Sequence, residues 1–455
     1  MEKLQILERI LPGYPEKYLR NEYRSEEMPL LDAVAHTFKK KVSGISLKKI
    51  FIVACQHMLE PQISLFKKLI EIGIPAGNIF IIPKAYSANE SVMLELEALG
   101  CTIFRMALSF SLNRSFDEFH RSQCALLVHF VQQKITDPEK ILILDDGGIL
   151  IQTCCKNNEF METFKGKICA TEQTASGKNI LLCDELPILV DSVASSIEKI
   201  QIETGYIVRL CVERVQEYFS EHKIPQRAHL LILGLGPIGN TLLQDLQSRG
   251  YSCIGYDKSQ GPFTHALSSF DVIIAATGSQ SVAQTDLAKL KRGCHLVSIS
   301  SSDREFPAPY LRSRTKNRVR IHDTFWNKED DVYLANGGFP ITFKGNRVEC
   351  MPIEMDVTKM KLFESLMNHI IGAQEVDSSV NILYPDRWLL KRGVRKMYAA
   401  LILMIACGIT MRIIYGWHDQ RMNLLIAFIV FLFCAAICMP TIRWIRLYKR
   451  TEKMT

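Results

Sequence analysis

No two of the fourteen cysteines in this 455-residue chain stand in a Cys-x-x-Cys pair, so their spacing supports no zinc site. The opening residues are charged and amphipathic, so no signal peptide is expected, and the cysteines do not read as a disulfide framework. Cys154 and Cys155 are adjacent, and the remaining thiols read as small core residues. The chain has no internal repeat and no low-complexity tract, which excludes solenoid and disordered classes. It has no RNA-binding signature and no basic patch interleaved with aromatics, so no nucleic-acid partner is expected.

Charged residues make up 23% of the chain and apolar residues 47%, as in globular proteins, and the length suits two soluble domains with a further segment. The net charge of +7 is concentrated near one end, at Lys391, Arg392, Arg395 and Lys396, then at Arg443, Arg446, Lys449, Arg450 and Lys453. These residues bracket two apolar segments, Met397 to Trp417 and Met422 to Trp444, joined by His418-Asp419-Gln420-Arg421. Each segment is long enough to span a hydrocarbon core of about 30 Å, which needs roughly 20 helical residues. Trp417 and Trp444 fall where interfacial aromatics sit, and Arg412 lies close enough to an end to snorkel. The expectation is a two-helix membrane hairpin at 397–445, with a buried hairpin of a soluble domain as the alternative. The basic flanks place the large N-terminal part in the cytoplasm.

The most specific motif is Gly234-Leu235-Gly236-Pro237-Ile238-Gly239. It follows the apolar run Ala228 to Leu233 and precedes apolar residues at helical spacing. A strand, a tight glycine turn and a helix start are what a dinucleotide pyrophosphate requires. The first glycine permits the turn, the second admits the phosphates, and the third lets helix and strand pack closely. The helix N-terminus then faces the anion. A second run, Cys253 to Tyr256, ends in Asp257, where a carboxylate would accept from ribose hydroxyls and favour NAD over NADP. Lys258 beside it weakens that preference. The competing reading is a glycine-rich loop that binds nothing.

Upstream, Lys49 to Ala54, Asn78 to Pro83, Cys101 to Phe104 and Ile141 to Leu144 read as strands. They are separated by helices over Pro61 to Ile72 and Asn89 to Leu99. Such alternation predicts a parallel sheet covered on both faces, with ligands beyond its carboxyl ends. His57 and Asp145-Asp146 fall at such ends. On the residues alone, His57 could equally be a loop histidine and the aspartates a helix cap. Glu172 reads as structural. A long helix is predicted over Ser192 to Glu221. The fold class is thus two-domain α/β, a Rossmann-type NAD-binding domain and an α/β substrate domain, with a C-terminal transmembrane hairpin. The expected divisions are a substrate-type domain at 1–205, a Rossmann domain at 206–330 and a return segment at 331–376. A linker at 377–396, the membrane helices at 397–445 and a basic cytoplasmic tail at 446–455 follow.

Five stretches in order carry a resemblance. They are Ala54-Cys55-Gln56-His57-Met58, Ile143-Leu144-Asp145-Asp146-Gly147-Gly148, Thr171-Glu172-Gln173-Thr174-Ala175-Ser176-Gly177, Asp191-Ser192-Val193, and Leu334-Ala335-Asn336-Gly337-Gly338-Phe339-Pro340-Ile341. Over roughly residues 25 to 370 the chain resembles the S-adenosylhomocysteine hydrolases. That resemblance implies tightly held NAD that oxidises the ribose 3′-hydroxyl, so that the C4′ proton can be removed and homocysteine expelled. It implies proton transfer at the 5′ end by His57, with Asp146 orienting it. It implies cofactor contacts from Gly234, Gly236, Pro237, Ile238, Gly239, Asp257, Thr277 and Gly278, with Thr174 and Ser176 on the nicotinamide side. A homo-oligomer is also implied.

The likeness breaks at other catalytic positions. Gln173 stands for the family's second glutamate, Ser195 for its lysine, Lys199 for its aspartate and Ile200 for its asparagine. Leu59 replaces a threonine, Ser298-Ile299-Ser300-Ser301 replaces Asn-Ile-Gly-His, and the cofactor-completing tail gives way to the apolar segments. Each lost proton-transfer group typically removes about 10²–10⁴ in rate. The expectation is a membrane-anchored, NAD-binding sensor or regulatory subunit that holds an adenosine-type ligand without normal hydrolysis. Alternatives are an NAD-dependent enzyme of altered specificity, with Lys178, Lys199 or His57 as base, and an active S-adenosylhomocysteine hydrolase of one-carbon metabolism.

Overall fold

Alternating apolar runs and amphipathic helices build two sheets in succession. In the computed structural model, which describes residues 2–12, 15–20, 22–182, 186–315, 320–347, 349–372 and 381–382, the first sheet uses β1 (Ile50–Met58), β2 (Ile79–Ala88), β3 (Thr102–Ile103), β4 (Lys140–Asp145), β5 (Ile168–Glu172) and β6 (Leu189–Ser192). Their order is β6-β5-β4-β1-β2-β3, with every pairing parallel. The central strands are apolar over Ile50 to Cys55 and Ile141 to Leu144 because helices cover both faces. Ile52, Val53, Ala54, Ile141, Leu142 and Ile143 are fully buried. The helices that matter for the site are α1 (Pro29–Lys41), α2 (Glu60–Glu71), α3 (Phe116–Lys134), α4 (Ile149–Lys156) and α5 (Ala175–Leu181).

The second sheet follows α6 (Thr204–Glu221). It contains β7 (His229–Leu233), β8 (Ser252–Tyr256), β9 (Val272–Ala275), β10 (Cys294–Ser298), β11 (Phe325–Asn327) and β12 (Val332–Leu334). The order is β11-β12-β10-β9-β7-β8, parallel except for the hairpin of β11 with β12. Helix α7 (Pro237–Ser248) crosses from β7 to β8. The chain then returns to the first half, where α8 (Asp356–Ile371) is buried against α1 and the first sheet. The fold is thus two-domain α/β with parallel Rossmann-like sheets, and the described residues from 2 to 381, apart from 186–187, pack as one compact unit.

Both sheets reverse their strand order once. Chain progression parts between β1 and β4 in the first and between β7 and β9 in the second. Such switch points leave a crevice beyond the carboxyl ends of the strands. Each holds one of the motifs found in the sequence.

The helix predicted from Ser192 to Glu221 begins later. Ser192 ends β6, aligned with Glu172 of β5, and Lys199–Glu203 is a π-helical turn leading into α6. Parallel pairing claims the start of that stretch before helix propensity can act. A two-residue strand, Asn381–Ile382, falls inside the predicted linker. No described helix is long and apolar enough to cross a membrane. The predicted hairpin at 397–445 and the tail at 446–455 lie outside the described residues.

Candidate functional site

The glycine turn occupies the β7–β9 switch point, and its three glycines are not equivalent. Gly234 has φ +90°, and a Cβ there would stand 2.9 Å from the Ala276 backbone. A Cβ on Gly239 would lie 1.9 Å from the Gly234 carbonyl oxygen, whereas one on Gly236 would meet nothing within 4 Å. The outer glycines are therefore fixed by the turn and by helix–strand packing. The middle one opens onto space, as a cradle for a pyrophosphate must. Pro237 occupies the first turn of α7, where its missing N–H costs nothing.

Asp257 follows β8. Its Oδ1 accepts from the Ser259 backbone N–H at 3.0 Å and hydroxyl at 2.7 Å, and its Oδ2 accepts from Leu235 N–H at 3.1 Å. These bonds, those from Ser259 foremost, hold its carboxyl below the usual range. An ionised carboxylate has about four acceptor positions, so the partly exposed group retains capacity for ribose hydroxyls. These residues fit a dinucleotide.

Thr277-Gly278 follows β9. The buried Glu305 carboxylate fixes this turn, accepting from Gly278 N–H at 2.6 Å and Thr277 Oγ1 at 2.8 Å. Gly278 faces Ser176 of the first half, where an added Cβ would stand 3.2 Å from the Ser176 Cβ. Thr174 caps α5 by accepting from Gly177 N–H at 3.0 Å. Glu172 is structural. It accepts from the N–H groups of Gly147, Gly148 and Thr174 and from the Thr174 hydroxyl, at 2.7–3.1 Å. A Cβ on Gly177 would fall 2.2 Å from Glu172 Oε1. The Asp-Asp-Gly-Gly and Thr-Ala-Ser-Gly stretches therefore interlock, and each explains the other's glycines.

At the β1–β4 switch point the two aspartates divide their roles. Asp145 Oδ2 accepts from Ile151 N–H at 2.9 Å and caps α4. Asp146 turns into the cavity, with Oδ1 2.5 Å from Lys84 Nζ and Oδ2 3.5 Å from His57 Nε2. Burial alone would raise its pKa, but Lys84 and His57 hold it well below the usual carboxylate range. Lys84 reaches this position because β1 and β2 lose register: Gln56 pairs with Pro83, but Met58 pairs with Ala88. Irregularities of this kind re-aim side chains. The same interruption brings Ser87 Oγ to 2.5 Å from His57 Nδ1, and Phe343 stacks on the ring at 4.4 Å.

Burial pushes the His57 pKa down, so the ring is neutral at pH 7. Asp146 is ionised and can only accept, so the nitrogen facing it, Nε2, carries the hydrogen. Nδ1 then accepts from Ser87. Ser87 thus engages Nδ1, while Nε2 faces Asp146 at 3.5 Å from within the cavity lining.

His57, Asp146, Thr174 and Ser176 line a single cavity of about 360 Å³, and Pro237, Ile238, Thr277 and Gly278 line it from the other half. That volume lies within the usual range for small-molecule sites. Gly234, Gly236, Gly239 and Asp257 are not among the lining residues. Of the other candidate bases, Lys199 lines the cavity but donates to the Gln173 carbonyl at 3.0 Å. Lys178 is outside the lining and donates to Ser195 Oγ at 3.2 Å.

Two lysines escaped the sequence reading. Lys84 directly follows Pro83, where the apolar pattern ends the predicted strand. Lys359 lies on α8, a helix with twelve buried residues, and only a lysine amid such apolar neighbours could have drawn notice. No group of metal-ligating residues occurs among the described residues.

No family model matches the chain. Over 374 residues it is 27% identical to an uncharacterized protein found in two strains of Mycobacterium tuberculosis, covering 80% of this chain and 71% of that one. Among solved structures, a dipicolinate synthase component of Bacillus halodurans aligns with a TM-score of 0.38 at 12% identity, over 72% of this chain and 99% of that one. NAD-bound 3-phosphoglycerate dehydrogenase of Entamoeba histolytica aligns with a TM-score of 0.39 at 10% identity, over 73% and 98%. Superposition this loose says nothing of substrate or reaction.

Proposed function

We propose that this chain is an adenosylhomocysteinase-like protein that binds NAD at the β7–β9 switch point and an adenosine-type ligand beside it. It acts on that ligand by oxidoreduction of altered specificity rather than by thioether hydrolysis. One observation carries the reading: Pro237 and Ile238 at the start of α7 line the same cavity as His57 and Asp146.

Gly236 leaves room for the pyrophosphate, Asp257 offers acceptors to the ribose, and Thr277-Gly278 with Ser176 borders the nicotinamide side. When bound, NAD would supply hydride transfer at a ligand carbon. Lys84 keeps Asp146 ionised, and Asp146 with Ser87 fixes the His57 ring. Leu59, Ile200 and Phe343 give the cavity part of its apolar lining. Hydrolysis is disfavoured because Ser195, the counterpart of the family's lysine, faces Lys178 outside the cavity lining, and because Gln173 cannot accept a proton near neutral pH. Those same losses support a second reading, a ligand-sensing subunit without turnover. The apolar segments 397–445 and their basic flanks motivate membrane anchoring with the large N-terminal part in the cytoplasm, and the resemblance motivates a homo-oligomer.

Purified full-length protein loaded with NAD and given adenosine should show the near-ultraviolet absorbance of reduced nicotinamide. Binding without that signal selects the sensing reading. Release of homocysteine from S-adenosylhomocysteine would replace both with the parent hydrolase.

A further inference from the structure

Lys359 is 1% exposed, lies in the cavity wall, and its Nζ has no hydrogen-bond partner among the described residues. Lysine is rarely buried without a counter-charge, because desolvating an ammonium is costly. The nearby carboxylates do not meet that need. Asp146 is already bonded to Lys84. Glu203 Oε2 accepts from the Thr358 N–H at 2.9 Å and from the Thr358 hydroxyl, while Glu203 Oε1 stands 3.8 Å from Lys199 Nζ. Lys84 with Asp146 and Lys199 with Glu203 balance each other, leaving Lys359 as a surplus cation. Of the other groups around it, His57 is neutral and the Cys350 thiol is pushed up by burial. Burial pushes the Lys359 pKa down to about 8, with Asp146 and Glu203 opposing the fall and Lys199 adding to it.

We infer that Lys359 is the proton-accepting residue of this cleft, taking the proton of a ligand hydroxyl onto its Nζ. In that step the ligand O–H bond breaks and an N–H bond forms. The amine becomes an ammonium, and the electron pair stays on the ligand oxygen. Lys359 is suited to this because the His57 ring is held between Ser87 and Asp146, Lys199 is bonded to Gln173, and Lys178 lies outside the cavity lining. The assignment rests on the reading of the cleft as an adenosine-type site, and it places the base on α8, outside every motif of the resemblance.

The test is the proton balance of adenosine binding to the full-length protein loaded with NADH, which cannot accept a hydride and so leaves binding as the sole source of protons. It is measured by calorimetry in buffers of different ionisation enthalpy across neutral to alkaline pH. A ligand hydroxyl that hydrogen-bonds to the amine favours its neutral form, so binding should release protons. The expected release is about half a proton per ligand between pH 7 and 8, fading at either end, with affinity rising about tenfold across the range. Lys359→Met should bind adenosine without release, and Lys359→Arg, which stays charged, should also release none. Binding without release, proton uptake, or equal release by Lys359→Met would each overturn the inference while leaving the cleft reading intact. Failure of adenosine to bind at any pH would overturn the cleft reading, and the inference with it.

Discussion

The two switch points solve the same spatial problem by opposite means. At β7–β9 the site is backbone: three glycines, a helix start and one partly exposed carboxylate. At β1–β4 it is a set of buried charges from distant parts of the chain, Lys84 against Asp146 with His57 beside them and Lys359 in the wall of the same cavity. A backbone site tolerates no added atoms where it packs but leaves charges in solvent. A side-chain site tolerates shape changes better, and fails when one charge of a pair is removed. The two regions should therefore break differently.

The largest effect is expected at Gly239. Gly239→Val drives a side chain into the Gly234 carbonyl, where even a Cβ would lie 1.9 Å away. It should cost at least about 3 kcal/mol and abolish nucleotide binding, as chemical denaturation and NAD titration would report. In the other region Lys84→Met leaves Asp146 buried and unpaired. The loss should be about 3–5 kcal/mol, and Asp146→Asn in the same chain should restore part of it because no charge remains. If the double variant is no more stable than Lys84→Met alone, the ion pair is not what that region depends on.

Lys359 gives a pH signature of similar size and opposite sense. Its folded pKa of about 8 lies below the ordinary 10.5, so between these values the unfolded chain binds the proton more tightly. Stability should rise with pH from about 8 to 10.5, and the penalty, about 3 kcal/mol, is fully present below 8. Lys359→Met should remove that rise and be more stable than the parent at pH 7. An unchanged pH slope would show that Lys359 is not the buried cation described. Smaller is the effect of Asp257→Ala, which should narrow the preference for NAD over NADP by about tenfold, read from paired titrations. A preference that stays the same would remove Asp257 from the ribose site.

The backbone site was legible because its information is local. A strand, three glycines, a helix and an acid follow one another within Ala228 to Asp257, and the roles given to Gly234, Gly236 and Gly239 match the space around each. The side-chain site was legible only in part. His57 and Asp146 sit at strand ends and announced themselves, and Glu172 is structural as its sequence context suggests. Lys84 depended on a register break between β1 and β2 that no propensity encodes. Lys359 depended on the chain's return to the first sheet, where α8 packs after the whole second sheet has intervened. Ser192 went to β6 instead of a helix because its alignment with Glu172 is a long-range pairing.

Gly236→Ala tests the central claim most directly, because a Cβ there meets nothing within 4 Å in the protein but would intrude on a bound pyrophosphate. Full-length protein and this variant should unfold alike, while NAD affinity falls at least about tenfold in the variant. Equal NAD affinity in both, or a parent protein that binds neither NAD nor NADP, would contradict the account.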